Sequence, residues 1–184
     1  MLRWARKVQS VGEGGDDYAT HSDFCAVFLQ QLDRLYSLAL ILTGDELSAE
    51  KCFLAAFESC AEESHVFKES AESFSRRSVI KQAIRLTSPM PSKDSRPHFL
   101  GNRNASLKFV QELPPFDRFV FVMSVLERYS ARECALLLDC SPTDVLPARI
   151  RAFQQISTSV EKSYPDNSSG AQPYVVDADW LECG

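Results

Sequence analysis

The sequence lacks an uninterrupted apolar run approaching the roughly 20 residues that a bilayer-spanning helix needs. It also lacks a signal peptide's apolar stretch, because Glu13, Asp16 and Asp17 follow the positively charged start at residues 1–7. Apolar residues make up 45% of the chain and charged residues 24%, which is typical of a soluble globular protein. We therefore expect a cytoplasmic protein with no membrane insertion.

Motifs for metal binding and catalysis are missing as well. The six cysteines form no CxxC pair and no short Cys/His spacing, which predicts reduced thiols, mostly in the core, and no metal site. His21, His65 and His98 are isolated, and no nucleophile motif or glycine-rich phosphate loop is present. A redox switch is an alternative reading of Cys134 and Cys140, but six residues across a helix end and turn do not ensure disulfide geometry, so core packing is favoured. We expect no enzyme activity and no cofactor.

No long segment of the chain is strongly basic. The formal net charge is −5, and residues 159–184 hold one lysine and five acidic residues. This distribution weakens any expectation of generic affinity for nucleic acid.

Residues 23–86 contain three amphipathic patterns. The first predicts one helix capped by Ser22, with apolar residues at i, i+3 and i+4 spacing as far as Leu42, ending at Gly44. Ser48 is predicted to start a second helix, packed against the first as an antiparallel hairpin. The third begins near Phe74. Its cations Arg77, Lys81 and Arg85 are spaced by four and therefore share one face of the helix. That face is either simply exposed to solvent or contacts phosphates.

Residues 87–104 are rich in proline, serine, glycine and asparagine without apolar periodicity, which is typical of a flexible linker. After it, Pro114 and Pro115 lead into a helix that extends to Leu126. Residues 161–184 are predicted to be a disordered acidic tail, whose aromatic and acidic end could be a short docking motif.

Two short helices with a tight turn follow. Ser130 and Glu133 form a capping-box sequence, and the turn falls at residues 139–140. Ser141 can cap the next helix, with Pro142 at its first position. A supporting helix, two short helices and a tight turn predict a helix-turn-helix domain.

The predicted fold is all-α, with two small helical domains joined by a flexible linker. The boundaries are an N-terminal extension (1–22), a first domain (23–86), the linker (87–104), a helix-turn-helix domain (105–160) and the acidic tail (161–184).

Two stretches resemble the extracytoplasmic-function subfamily of RNA polymerase sigma factors, as in a divergent member. The first is Leu-Tyr-Ser-Leu-Ala-Leu-Ile-Leu-Thr-Gly-Asp at 35–45 with Ser-Ala-Glu at 48–50, similar to the start of that family's region two. The second combines Leu-Pro-Pro at 113–115, Val-Leu-Glu-Arg-Tyr-Ser at 125–130 and Glu-Cys-Ala at 133–135, similar to region four. The likeness covers roughly 23–86 and 105–160, in the family's order.

The resemblance implies a sigma factor-like transcription initiation protein that binds core RNA polymerase and directs it to promoter DNA. In the family, region two binds the polymerase clamp and reads the −10 element, whereas region four reads the −35 element. An anti-sigma factor is a further candidate partner. The alternative is a degenerate sigma-fold regulator that acts through protein contacts with little DNA binding.

The sequence departs from the family at contact positions in both domains. After Val145, where the family typically has Lys, Ser and Arg, Leu146, Pro147 and Ala148 remove hydrogen-bonding groups from three positions expected to face DNA. Pro147 is also costly inside a helix unless the helix kinks or starts later, by about 3 kcal/mol.

In region two, a surface that is usually acidic and polar is more apolar, with Lys51, Leu54 and Ala55 at its positions. The expected DNA-facing residues are those that keep charge or polarity near the recognition helix and along the third helix: Thr143, Asp144, Arg149, Arg151, Arg76, Arg77, Lys81 and Arg85.

Overall fold

The computed structural model describes residues 17–63, 65–91 and 105–163, and most of the predicted extension (1–22), linker (87–104) and tail (161–184) lies outside these residues. Within this part of the chain the ordered elements are helices, and the β structure is confined to one isolated bridge between Tyr18 and Phe67. The all-α fold class is confirmed.

The first predicted helix is two helices, so the prediction of a single one capped by Ser22 was wrong. Helix α1 spans His21–Gln30 and α2 spans Leu32–Thr43, with a bend of 78° at Gln31. Thr20 caps α1, because its hydroxyl accepts a hydrogen bond from the Asp23 amide at 3.3 Å and the Asp23 carboxylate accepts one from the Thr20 amide at 2.7 Å.

On either side of the bend, the two helices pack their apolar faces into one core. In α1, Phe28 contacts Phe53 and Phe57 with ring centroids 5.2 Å apart, and Phe24 lies 6.1 Å from Phe74. In α2 the buried apolar residues continue the same spacing into the core. Because the periodicity runs unbroken through Gln31, the sequence pattern contains no signal for the bend.

Helix α3 spans Glu46–Ala61 and α4 spans Ala71–Thr87. Gly44 ends α2 in the left-handed region, at φ 90°, as predicted. The predicted start of α3 at Ser48 was wrong: the Asp45 carboxylate caps the helix and accepts from the Ser48 amide at 2.9 Å. Helices α2, α3 and α4 pack together, and the α2–α3 pair forms the predicted hairpin contact.

Four helices follow in the described part beyond residue 104. Helix α5 spans Ala105–Gln111, α6 spans Pro115–Phe121, α7 spans Ala131–Leu138 and α8 spans Pro142–Ser163. Pro115 is the first residue of α6 and Pro142 that of α8, as predicted. The Ser130–Glu133 capping box is present.

After α6 the helix widens into a π-helical turn over Val122–Leu126. Two backbone hydrogen bonds of 2.9 Å, from Glu127 to Val122 and from Tyr129 to Met123, hold the chain that leaves this turn. Arg128 lies between these amides in the left-handed region, at φ 59°. Such turns and backbone positions are frequent at functional sites.

The helices before and after the predicted linker contact each other. Helix α2 packs against α5 and α6, and the Arg118 guanidinium of α6 lies over Gly44. Arg118 is 6% exposed and donates from Nη1 to the Gln111 carbonyl at 2.9 Å. The division into two domains stays a prediction.

Among the described helices, none is both long and apolar enough to cross a membrane on its own. Helices α1 and α2 satisfy that criterion only as a pair, across their 78° bend.

Candidate nucleic-acid interface

Helices α7 and α8 are joined by a tight turn, as the sequence predicted. Asp139 ends α7 in the left-handed region at φ 49°, and the Cys140 amide donates to the Ala135 carbonyl at 3.0 Å. The buried Cys134 and Leu138 of α7 and Val145 of α8 pack in the core. This packing leaves the opposite face of α8 towards solvent.

Two of the predicted DNA-facing residues, Thr143 and Asp144, lie in the first turn of α8. The Thr143 hydroxyl is 2.7 Å from the Ser141 hydroxyl, and its amide donates to the same oxygen at 3.3 Å. The Asp144 carboxylate accepts from the Ser141 amide at 3.3 Å. Both side chains therefore contribute to the helix start, and Thr143 stays exposed.

Arg151, a third predicted contact, forms a bidentate ion pair with Asp117 of α6. The Arg151 Nη2 and Nε atoms lie 2.6 and 3.0 Å from the two carboxylate oxygens. These hydrogen bonds, with smaller contributions from charge, raise the pKa of Arg151 against the effect of burial. Arg149, which is half-buried, forms no ion pair with the described residues and is the freer cation of α8.

The solvent face of α8 carries an apolar stripe beside exposed polar residues such as Gln154 and Thr158. Leu146, Ile150 and Phe153, which we call the α8 stripe, follow i, i+4, i+7 spacing and are 51%, 48% and 48% exposed. Ala148 is fully buried, so the prediction that it faces DNA was wrong; the residue packs in the core beside Val145. Helix α8 starts at Pro142 and extends through Pro147, so it does not start after this proline.

The four cations of α4 divide between two depressions. Lys81 and Arg85 are exposed and line a small one of about 180 Å³. Arg76 and Arg77 line a larger cleft of about 620 Å³, where Arg34 of α2 and Arg128 join them. We call this larger depression the arginine cleft. Arg77 therefore lines a different depression from Lys81 and Arg85.

Sequence reasoning missed Arg34 and Arg128. Arg34 belongs to no motif, and Arg128 lies in the region-four-like stretch 125–130 without having been predicted to bind anything. The two residues lie far apart along the chain, so only tertiary packing brings them to the same cleft. The left-handed backbone of Arg128 is a conformational feature that residue type does not predict.

The outer face of α3 carries the positions where polymerase contact was expected. Lys51 is exposed, Leu54 is 59% exposed, and Leu47, one further turn away, is 71% exposed. Ala55 is half-buried. This face is as apolar as the sequence predicted.

The cysteines of the described chain are free thiols. Burial raises the pKa of Cys52 to about 12 and that of Cys134 to about 11, and it also raises the pKa of Cys140, which is half-buried. High thiol pKa values disfavour the reactive thiolate. Within the described residues, no cluster of three or more His, Cys, Asp or Glu could hold a metal ion.

A scan against protein-family models and a search of curated protein sequences gave no match to this chain.

Proposed function

We propose that the chain is a cytoplasmic, sigma factor-like transcription initiation protein, without enzyme activity, that binds core RNA polymerase and directs it to promoter DNA. The observation that supports this most is the capped α7, tight turn and exposed α8, supported from behind by the buried helix α6. A helix presented in this way fits the major groove of DNA. The sequence resemblance over 23–86 and 105–160 is the second support.

In this proposal the outer face of α3 contacts the polymerase. Leu47 and Leu54 expose apolar surface there without a partner among the described residues, and apolar anchors are typical of protein interfaces. Promoter DNA would meet Arg149 and the start of α8, with Lys81 and Arg85 as further phosphate contacts. An anti-sigma factor would be a second protein partner.

The direct test is to add the purified full chain to core polymerase, follow co-elution by gel filtration, and then assay transcription from a set of promoters. Binding to core and specific transcripts are expected. Leu47→Ser with Leu54→Ser should weaken co-elution, whereas the control Leu29→Ser, on α1 and more exposed than either, should not. Failure of the unmodified chain to bind core polymerase would rule the proposal out.

DNA contact is tested by salt dependence. Because each neutralised phosphate contributes close to one unit to the slope of log affinity against log salt, Arg149→Ala should lower that slope by about 1. Lys108→Ala removes the same charge from α5 and is the control. The measurement is made with the polymerase complex on promoter DNA. An unchanged slope for Arg149→Ala would exclude this residue from the interface.

The α8 stripe favours a second candidate function, a sigma-fold regulator that acts through protein contacts with little DNA binding. Leu146 and Ile150 offer no hydrogen bonds to base edges, and Arg151 is already paired with Asp117. This candidate predicts that core polymerase binds but that DNA affinity changes little between about 50 and 200 mM salt. A drop in DNA affinity of about 10³-fold over the same salt range would instead favour the first candidate, a protein that reads promoter DNA.

A further inference from the structure

The arginine cleft has two walls from separate parts of the chain. Arg34 on α2 and Arg76 and Arg77 on α4 form one wall, and Arg128 and Tyr129, between the π-helical turn and α7, belong to the other. Its volume of about 620 Å³ lies within the range of roughly 300–1,000 Å³ that is typical of small-molecule sites.

The positive charge in the cleft is only partly neutralised. Arg34 and Arg76 share the carboxylate of Glu72, at 3.8 and 3.3 Å, and Arg76 lies 3.9 Å from Glu127. Arg77 and Arg128 form no ion pair within the residues that the structure describes. Two guanidinium groups are therefore available to an anion.

Glu133 is the other acid that lines the cleft, and it is already engaged. Its carboxylate accepts hydrogen bonds from the Ser130 amide at 2.8 Å and from the Ser130 hydroxyl at 2.7 Å. These bonds hold Glu133 at the start of α7, and it forms no ion pair with Arg77 or Arg128 within the described residues. The charge of Arg77 contributes only a minor part to the lowered pKa of Glu133, behind the hydrogen bonds from Ser130.

The backbone at Arg128 supports a specific role for its side chain. A φ of 59° is unfavourable for a non-glycine residue without a short polar side chain. The amide hydrogen bonds of Glu127 and Tyr129 on either side hold the chain in this conformation. Such strain persists where the surrounding structure fixes it, and it places an arginine where glycine would be favoured.

We propose that the arginine cleft binds a nucleotide, with its phosphates held by Arg77 and Arg128. Guanidinium groups match phosphate oxygens with paired hydrogen bonds and keep their charge at all physiological pH values. The half-buried rings of Phe74 and Tyr129 also line the cleft, and they offer a surface on which a base can stack.

This site goes beyond the proposed function and does not depend on it. Since the ligand would touch α4 and the loop before α7 together, binding should stabilise the contact between the helices before and after the linker. A ligand that binds the folded chain raises its melting temperature in a concentration-dependent way.

The test is calorimetric titration of the full chain with ATP, ADP and pyrophosphate in the absence of metal ions, with melting curves in parallel. Saturable binding of ATP and ADP is expected, with pyrophosphate weaker because it lacks the base. No saturable binding of either nucleotide up to about 1 mM would overturn the proposal. Equal binding of pyrophosphate and ADP would overturn the role of the aromatic rings and with it the nucleotide assignment.

Two variants test the phosphate contacts. Arg128→Gly removes the guanidinium and suits the left-handed backbone, so it should weaken ATP binding about tenfold or more while the melting temperature of the unliganded chain stays within a few degrees. Arg77→Gln should weaken binding similarly. Lys81→Ala with Arg85→Ala removes two charges from the same helix outside the cleft and should leave affinity within about twofold.

Nucleic acid is the competing ligand, because Arg76 and Arg77 were also predicted to face DNA. A single-stranded oligodeoxynucleotide is therefore titrated into the same variants. Binding of the oligonucleotide that depends on Arg77 and Arg128, without any binding of ATP, would overturn the nucleotide site and assign these arginines to a nucleic-acid surface.

Discussion

Arg151 of α8 and Asp117 of α6 are joined by two hydrogen bonds of 2.6 and 3.0 Å, and the Asp117 side chain is 1% exposed whereas that of Arg151 is 42% exposed. The pair connects the helix predicted to read DNA with the helix behind it. Arg151 therefore has a structural partner inside the protein. Substituting Arg151 should lower the stability of the fold, whether or not this residue also contacts a ligand.

Arg151→Met should destabilise the chain, because it leaves the Asp117 carboxylate buried without its partner. The exposure of Arg151 reduces the usual cost of breaking a buried pair, so we expect the free energy of unfolding, measured with urea, to fall by about 2 to 3 kcal/mol. Asp117→Asn and the double variant complete a cycle, with an expected coupling energy of about 1 to 3 kcal/mol. Arg149→Ala is the control and should change stability by less than about 0.5 kcal/mol. A coupling near zero would show that the pair is not energetically important.

Pro147→Ala should stabilise the protein. Proline inside a helix removes a backbone donor and its ring clashes with the preceding turn, at a cost of about 3 kcal/mol, which the stiffer unfolded chain offsets by about 0.4–1 kcal/mol. We expect a gain of about 2 kcal/mol in the free energy of unfolding. Pro115→Ala at the first position of α6, where proline is well tolerated, is the matched control. A loss of stability in Pro147→Ala would contradict the continuous α8.

Gly44→Ala should destabilise the chain by about 1–2 kcal/mol, because alanine at φ 90° brings its Cβ against the following carbonyl. The added Cβ would also lie 3.3 Å from Nη1 of Arg118. Adding Arg118→Ala to both backgrounds separates the two effects in thermal unfolding. If the loss disappears in the double variant, the cause is the contact with Arg118 and not the backbone.

Arg118→Met should stabilise the contact between α2 and α6. Burial lowers the pKa of Arg118 to about 10, and its Nε atom and both amide atoms of the Gln111 side chain have no hydrogen-bond partner within the described residues. Removing an uncompensated buried charge while keeping the apolar stem should gain about 1–3 kcal/mol. Denaturant unfolding measures this gain. A loss of the same size would mean that the hydrogen bond from the guanidinium to the Gln111 carbonyl outweighs the cost of burying the charge.

Glu133→Gln should reduce the sensitivity of the fold to acid. Hydrogen bonds from the Ser130 hydroxyl and amide lower the pKa of Glu133 below its ordinary value. A carboxylate with a lowered pKa contributes stability that is complete above the unfolded pKa, about 4.3 for glutamate, and that is lost as pH falls through the folded pKa. Below about pH 5, the melting temperature of Glu133→Gln should therefore fall less steeply with decreasing pH than that of the unmodified chain.

Glu58→Gln is the matched control for this pH dependence, since it removes an equal charge from an exposed position of α3. Its melting temperature should follow the same acid decline as that of the unmodified chain. If the melting temperatures of Glu133→Gln and the unmodified chain also fall in parallel as the pH decreases, the capping box is not the cause of the acid sensitivity.

Several predictions from local pattern were confirmed because the interactions that decide them span only a few residues. The Ser130–Glu133 box, Pro115 at a helix start and Gly44 at a helix end are examples. The cap of α3 was misplaced by three residues because both Asp45 and Ser48 suit that role, and the carboxylate of Asp45 reaches the free amide. The all-α class follows from the same periodic patterns.

The site was less predictable, because its geometry depends on contacts distant in sequence. Leu146, Pro147 and Ala148 already indicated an unusual recognition helix. The structure adds that Leu146 is exposed on one stripe with Ile150, whereas Ala148 is buried. Pattern analysis grouped Arg77 with Lys81 and Arg85 on one face of the helix, and it could not show that packing also brings Arg77 to the cleft that Arg128 lines.

The sequence by itself determined several helix boundaries, such as Gly44 after α2 and Pro142 at the start of α8, and which residues are apolar, since capping and periodicity act within about one helical turn. Only the tertiary structure decided that Arg151 pairs with Asp117, 34 residues away, that the first helix bends at Gln31, and that Arg34 and Arg128 face one cleft. The physical reason is that a charged side chain takes the partner that packing brings within hydrogen-bond distance, and local sequence does not encode that distance.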